Sequence, residues 1–281
     1  MTVAFLLLLA IASRSYLNPA SFQPIATLRT QDVHALAISP TDGNVIFFGH
    51  HDGVLRSDDG GRNWRPLVAQ HNFDAMGLAI PLVDGETIYA AGHGILSKST
   101  DGGKTWESMV NTLPFDDVHG FTLDARDPKT LYAFVVGHGL LESGDGGASW
   151  KSVNSQLPEP VMTLAATPDN PRILYAGTMD EGILRSLDGG LTWQPANNGI
   201  DTRSILSLST SPSMAGLVYA GTDKGLFRSN DGGGTWSPTS FQGAAAAVAV
   251  APDNPRTLLV VDDRTNVYRS DDGGATWGSG R

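Results

Sequence analysis

The sequence predicts an all-β chain, a six-bladed β-propeller built from four-stranded antiparallel blades. Three observations predict it. An eight-residue phrase recurs six times, and each copy ends in one of the chain's six tryptophans. Those residues, Trp64, Trp106, Trp150, Trp193, Trp236 and Trp277, are spaced 42, 44, 43, 43 and 41 residues apart. A fixed period of this size marks repeated units that cannot bury their hydrophobic faces alone. Between the copies, short apolar runs alternate with Gly, Asp and Pro clusters, as antiparallel strands alternate with turns. Four such runs per unit, in six units, make a propeller.

The elements follow in order through the first unit. HALAI at 34–38 is an apolar first strand, closed by the turn SPTDG at 39–43. VIFF at 45–48 is the second strand, and GHHDG at 49–53 is its turn. VLRS at 54–57 is the third strand, the recurring phrase SDDGGRNW at 57–64 is the next turn, and WRPLV at 64–68 is the fourth strand. Second strands recur at 87–92, 130–137, 173–178, 217–222 and 257–262, and third strands recur as Gly-Ile/Leu-Leu/Phe-x-Ser, as at 182–186. The last unit lacks material for a fourth strand, because WGSGR at 277–281 is poor in β-formers. FQPIATL at 22–28 matches the fourth-strand phrases WQPA and WRPL, so it is expected to complete the sixth blade. An open ring would leave two unpaired edges. The competing expectation is a further strand beyond the sequence given. Residues 21–281 are thus read as one propeller.

The recurring phrase, Ser-x-Asp-x-Gly-x-Thr-Trp, resembles the Asp box, or BNR repeat. The resemblance spans almost the whole chain. It implies a kinship of fold with sialidases, xyloglucan-active hydrolases, sortilin-type receptors and photosystem II assembly propellers. The aspartates Asp59, Asp101, Asp145, Asp188, Asp231 and Asp272 suit a structural role, accepting hydrogen bonds from turn N–H groups. The glycines permit positive φ, and the tryptophans are expected to pack beneath the hairpins. Calcium is the functional alternative for these turns, but no bidentate Glu stands at the spacing an EF-hand requires.

Composition narrows the partners. The formal net charge is −10. An acidic surface disfavours nonspecific contact with nucleic acid or anionic membranes. No cysteine is present, so no disulfide or thiolate site exists. VAFLLLLAIA at 3–12, followed by Ser13-Arg14-Ser15, is too short to span a bilayer as a helix. It suits the core of a signal peptide, with Ala10-Ile11-Ala12 as a small-x-small cleavage site, although no Lys or Arg precedes it. Residues 1–20 are therefore expected to be a signal peptide or N-terminal anchor. The chain is expected to be secreted, periplasmic or at the cell surface, and monomeric.

Histidine is the most unevenly distributed residue. All seven, His34, His50, His51, His71, His93, His119 and His138, lie in the first half. In a four-stranded blade, the loop entering the first strand and the turn between strands two and three open on one face. All seven histidines map to such positions over blades one to three. The innermost-strand position reads His34, Met76, His119, Met162, Leu206 and Ala246 through the six blades, and is expected to ring the channel mouth. Imidazole with thioether suits copper, and imidazole with the nearby Asp32, Asp74, Asp116 or Asp117 suits zinc or another divalent ion. Met76 is the thioether candidate. The plainer reading is that Gly-His turns spread by duplication and that methionines fill the core.

The phrases Val33-His34-Ala35-Leu36, Gly49-His50-His51-Asp52-Gly53, Met76-Gly77-Leu78, Ala91-Gly92-His93 and Val118-His119-Gly120-Phe121 resemble exported bacterial Asp-box propellers labelled "glycosyl hydrolase". That resemblance implies a shared His-bearing face and no particular reaction. Three functions stay open. The first is a non-catalytic module binding a small ligand or a metal ion on the histidine face. The second is a sialidase- or xyloglucanase-like glycoside hydrolase using Asp32, Asp74, Asp116 or Asp117, since glycosidases need two carboxylates flanking a sugar. Against it, the Arg-Ile-Pro of sialidases is absent. The third is a scaffold for a protein partner.

Overall fold

The computed structural model describes residues 22–69, 72–114, 117–124, 127–167 and 173–278. The signal-peptide expectation for 1–20 lies outside them. The described chain is a six-bladed β-propeller of four-stranded antiparallel sheets. Blades one to five are meanders that start at the channel and end at the rim. Blade one holds β2 (Ala35–Ile38), β3 (Ile46–His50), β4 (Gly53–Ser57) and β5 (Arg65–Ala69). Blade two holds β6 (Gly77–Ala79), β7 (Ile88–Gly92), β8 (Ile95–Ser99) and β9 (Glu107–Ser108). Blade three holds β10 (Val118–Leu123), β11 (Leu131–Val135), β12 (Gly139–Ser143) and β13 (Lys151–Asn154). Blade six holds β22 (Ala245–Val250), β23 (Leu258–Asp262) and β24 (Asn266–Ser270), and takes β1 (Ala26–Thr27) as its outer strand. Ala26 pairs with Val267 and Thr27 with Asn266. Among the described residues no helix is long and apolar enough to cross a membrane.

The second strands carry the core. β7 and β11 are buried at every residue. Neighbouring blades cover both their faces, so their sequences are continuously apolar instead of alternating. Outer strands face solvent on the rim, and β9 is exposed throughout. Tyr132, Tyr175, Phe47 and Phe134 are among the largest fully buried side chains.

Each octapeptide folds into the same Ser–Asp turn, and in the first four copies the tryptophan indole closes it. In the second copy, Thr105 N–H and Thr105 Oγ1–H donate to Asp101 at 2.9 and 2.7 Å, and Ser99 Oγ–H donates at 2.9 Å. Gly103 N–H donates back to Ser99 Oγ at 2.8 Å, and Trp106 Nε1–H donates to Gly103 O at 3.0 Å. Gly102 and Gly103 hold φ of +72° and +85°, a region glycine enters without steric cost. Trp106 then packs edge-on against Phe73 of the neighbouring loop, with ring centroids 5.4 Å apart.

One irregularity sets up the site. In blade three the β10–β11 register slips between Val118 and Gly120, leaving His119 as a bulge residue. The same slip isolates Met162, Leu206 and Ala246 in the next three blades. Bulges re-aim side chains at sheet ends. Here the bulged position meets the channel: His34, Met76, His119, Met162 and Leu206 line one cavity of about 80 Å³ at its mouth.

Candidate metal centre

Two elements of each blade reach this end of the ring. One is the loop entering the innermost strand, and the other is the turn after the second strand. In the first three blades the loop supplies Asp32, Asp74 and Asp117, each two residues ahead of the channel position His34, Met76 or His119. The turns of blades one and two supply His51 and His93. Asp32 Oδ1 accepts His51 N–H at 3.0 Å, pinning the first turn to its loop. Ala75 N–H donates to His50 O at 3.2 Å, tying the second loop to the first turn. An antiparallel β-bridge joins His93 to Asp117. The Asp74 loop packs so closely on blade two that a Cβ on Gly92 would lie 1.9 Å from Asp74 O. Only glycine fits there.

Seven side chains converge. His93 Nε2, His119 Nε2 and Asp117 Oδ1 form a triangle: the imidazole nitrogens are 3.2 Å apart, and the carboxylate oxygen is 3.2 Å from His93 and 3.1 Å from His119. Asp117 Oδ1 is buried and accepts no hydrogen bond despite these distances. His93 Nδ1–H, on the ring's other side, donates to Asp74 Oδ2 at 2.5 Å. In blade one, His34 Nε2 lies 3.1 Å from His51 Nδ1, 3.3 Å from Asp74 Oδ1 and 3.6 Å from Asp32 Oδ1. His51 Nδ1 lies 2.6 Å from Asp32 Oδ2. The groups Asp32–His34–His51, His51–Asp74–His93 and His93–Asp117–His119 each present three ligand atoms close enough to share an ion.

Electrostatics divides the two blade-one histidines of the cluster. Burial holds the His34 imidazole below its ordinary pKa, against the opposing pull of Asp74 and Asp32, so it is neutral near pH 7. His51 is raised, chiefly by its hydrogen bond to Asp32 and against a smaller effect of burial. Burial would raise Asp32, but the His51 backbone and ring hydrogen bonds outweigh it and hold the carboxyl low. Burial lowers His50. The lowered His34 and Asp32 suit metal binding, whereas the raised His51 must give up its proton to ligate.

The other sequence candidates fall elsewhere. His50 turns away from the cluster: its ring faces Phe48 at 6.2 Å, and its Nδ1 accepts Asp52 N–H at 3.2 Å. His138 is exposed in the third turn and joins none of the three groups. Met76 lines the channel-mouth cavity with His34 and His119. His71 and Asp116 lie outside the described residues. Asp74 is no solvated turn former, since its side chain is only 6% exposed. The signal that pairs these residues is the spacing Asp-x-His, Asp-x-Met, Asp-x-His at 32–34, 74–76 and 117–119, with a histidine 19 residues after each of the first two aspartates.

No protein-family model matches the chain, and no curated protein sequence does. Solved structures do. The likeness establishes the fold. A GH74 xyloglucanase from Xanthomonas campestris superposes with a TM-score of 0.65 at 20% identity, over 91% of this chain and 46% of the enzyme. YCF48 from Cyanidioschyzon merolae superposes at 0.55 and 18% identity, over 91% of this chain and 87% of that one. A structure of YCF48 bound to D1 peptide gives 0.57 and 15%, over 90% and 82%. The chain thus spans under half the length of the xyloglucanase.

Proposed function

We propose that this propeller binds a divalent transition-metal ion, zinc foremost, at His93, His119 and Asp117. The triangle of two imidazole nitrogens and a carboxylate oxygen, 3.1 to 3.2 Å on a side, carries the reading. Tetrahedral zinc with bonds of about 2.0–2.1 Å spaces its ligands by about 3.3 Å. The triangle fits with shifts of a few tenths of an ångström. His93 is 45% exposed, so an ion has a path in and a fourth position open to solvent. Asp74 on His93 Nδ1 is the outer carboxylate that commonly fixes a ligating imidazole. Iron(II) and copper accept similar donors, and competition between ions ranks them.

The binding is proposed without glycoside hydrolysis. A glycosidase needs free carboxylates across a sugar, whereas Asp32, Asp74 and Asp117 each lie against imidazole nitrogens. The xyloglucanase and YCF48 likenesses leave glycan hydrolysis and peptide scaffolding as lesser alternatives. The Asp-box resemblance and the apolar run at 3–12 support an exported protein, in which this face meets extracytoplasmic metal.

Thermal unfolding tests the proposal. An ion at about 100 times its Kd stabilises the folded state by about 2.7 kcal/mol, a rise of roughly 5 °C or more in Tm for a domain of this size. Zinc is expected to give that rise, EDTA to reverse it, and a His93→Ala/His119→Ala variant to reduce it. No shift with zinc, copper or iron(II) would refute the reading.

A further inference from the structure

We infer that the face holds two ions in unlike centres joined by Asp74, an inference that rests on the metal-binding reading above. The second centre is built from His34, His51 and Asp32, with Asp74 Oδ1 as a fourth donor. His34 Nε2 is its hub, with His51 Nδ1, Asp74 Oδ1 and Asp32 Oδ1 at 3.1, 3.3 and 3.6 Å.

Asp74 carries the argument. Its side chain is more than nine-tenths buried between the two groups. Its Oδ2 accepts the His93 Nδ1–H, while its Oδ1 is buried and accepts no hydrogen bond. A buried carboxylate oxygen without a donor is costly, and a cation beside His34 would remove that cost. One ion cannot serve both groups. His93 Nδ1 is taken by Asp74, so an ion on His93 must bond Nε2, across the ring. Such an ion would lie roughly 6 Å from Asp74 Oδ2, against bond lengths of about 2 Å. His34 is on the far side of Asp74.

The centres differ in charge and access. The blade-one centre has two carboxylates and a half-buried hub in His34, so it is the more anionic and loads first. The blade-three centre has one carboxylate and the more exposed His93. Asp74 is an inner ligand to the first and an outer partner to the second. A first ion draws charge from Asp74, weakens its hold on His93, and so lowers the affinity for the second ion. Loss of an outer-shell partner typically weakens metal binding 10- to 100-fold.

Cobalt(II) titration, read by visible absorption and by calorimetric stoichiometry, tests this on the full chain. The wild type is expected to take two equivalents in two steps. His34→Ala and His119→Ala are each expected to keep one equivalent, with different spectra. Asp74→Asn is expected to lose the first step and weaken the second about 10- to 100-fold. The wild-type stoichiometry stands whether or not a variant folds. One equivalent in the wild type would overturn the two-centre inference and leave the metal-binding reading intact. No cobalt, zinc or copper bound would overturn both.

Discussion

Asp145 shows what an octapeptide aspartate does. Its Oδ2 accepts the Ser149 hydroxyl, and its Oδ1 accepts Ser149 N–H at 2.9 Å and Ser143 Oγ–H at 2.8 Å. These bonds, the Ser149 hydroxyl first, favour the carboxylate and bring its pKa to about 2 from an ordinary 3.8. Asp101, Asp188 and Asp231 are likewise held at about 2. A depressed folded-state pKa contributes stability that is complete above the unfolded value and is lost as pH falls through the folded one. The protein is therefore expected to lose stability between about pH 4 and pH 2, in an acid limb summed over the repeats. Asp145→Asn should lower the unfolding free energy at pH 7 and shallow that limb, as measured by urea melts across the range. Ser143 is 1% exposed, and its hydroxyl both donates to Asp145 and accepts from Gly147 N–H. Ser143→Ala leaves that N–H buried without its partner, and should cost about 1–3 kcal/mol in the same melts.

At the scale of the element, the site depends on how loops pack against second strands. A Cβ at Gly92 would collide with the Asp74 carbonyl, and one at Gly49 would lie 2.3 Å from Ala75 O. Both press on the loop that carries Asp74. Gly92→Ala should cost about 1–3 kcal/mol by overpacking, and should also weaken metal binding, which a remote core defect would not do. Leu258 in β23, fully buried in blade six, supplies that control: Leu258→Ala should cost about 2–5 kcal/mol and leave the metal stoichiometry unchanged. Much of this scale was legible beforehand. Apolar runs such as VIFF and TIYAAG, separated by Gly- and Asp-rich turns, marked the strands, and blade topology put the histidines on one face. The choice within a turn was not legible. His50 and His51 are adjacent, yet only His51 faces the cluster, because side-chain direction depends on where the β3 pairing ends. The bulge at His119 and the burial of Asp74 were also invisible, since both arise from contacts between blades rather than from local pattern.

At the scale of the whole molecule, the ring is held by one short strand drawn from far along the chain. β1 pairs with β24, and Phe22 stacks on Tyr268 at 5.0 Å and meets Phe241 edge-on at 5.4 Å. Removing residues 22–28 would expose the β24 edge and the apolar cluster beneath it. Such a chain should melt earlier and less cooperatively in scanning calorimetry, and should self-associate on size exclusion, as uncovered edges do. Closure also fixes blades one to three relative to one another, and the Asp and His residues meet across those blade boundaries. The direct test of the metal claim is the metal content of the intact protein, purified without chelator and then reloaded with zinc, compared with His93→Ala/His119→Ala. Near-stoichiometric metal in the wild type, reduced in the variant, is the result predicted. A wild-type protein that stays metal-free after reloading would contradict it.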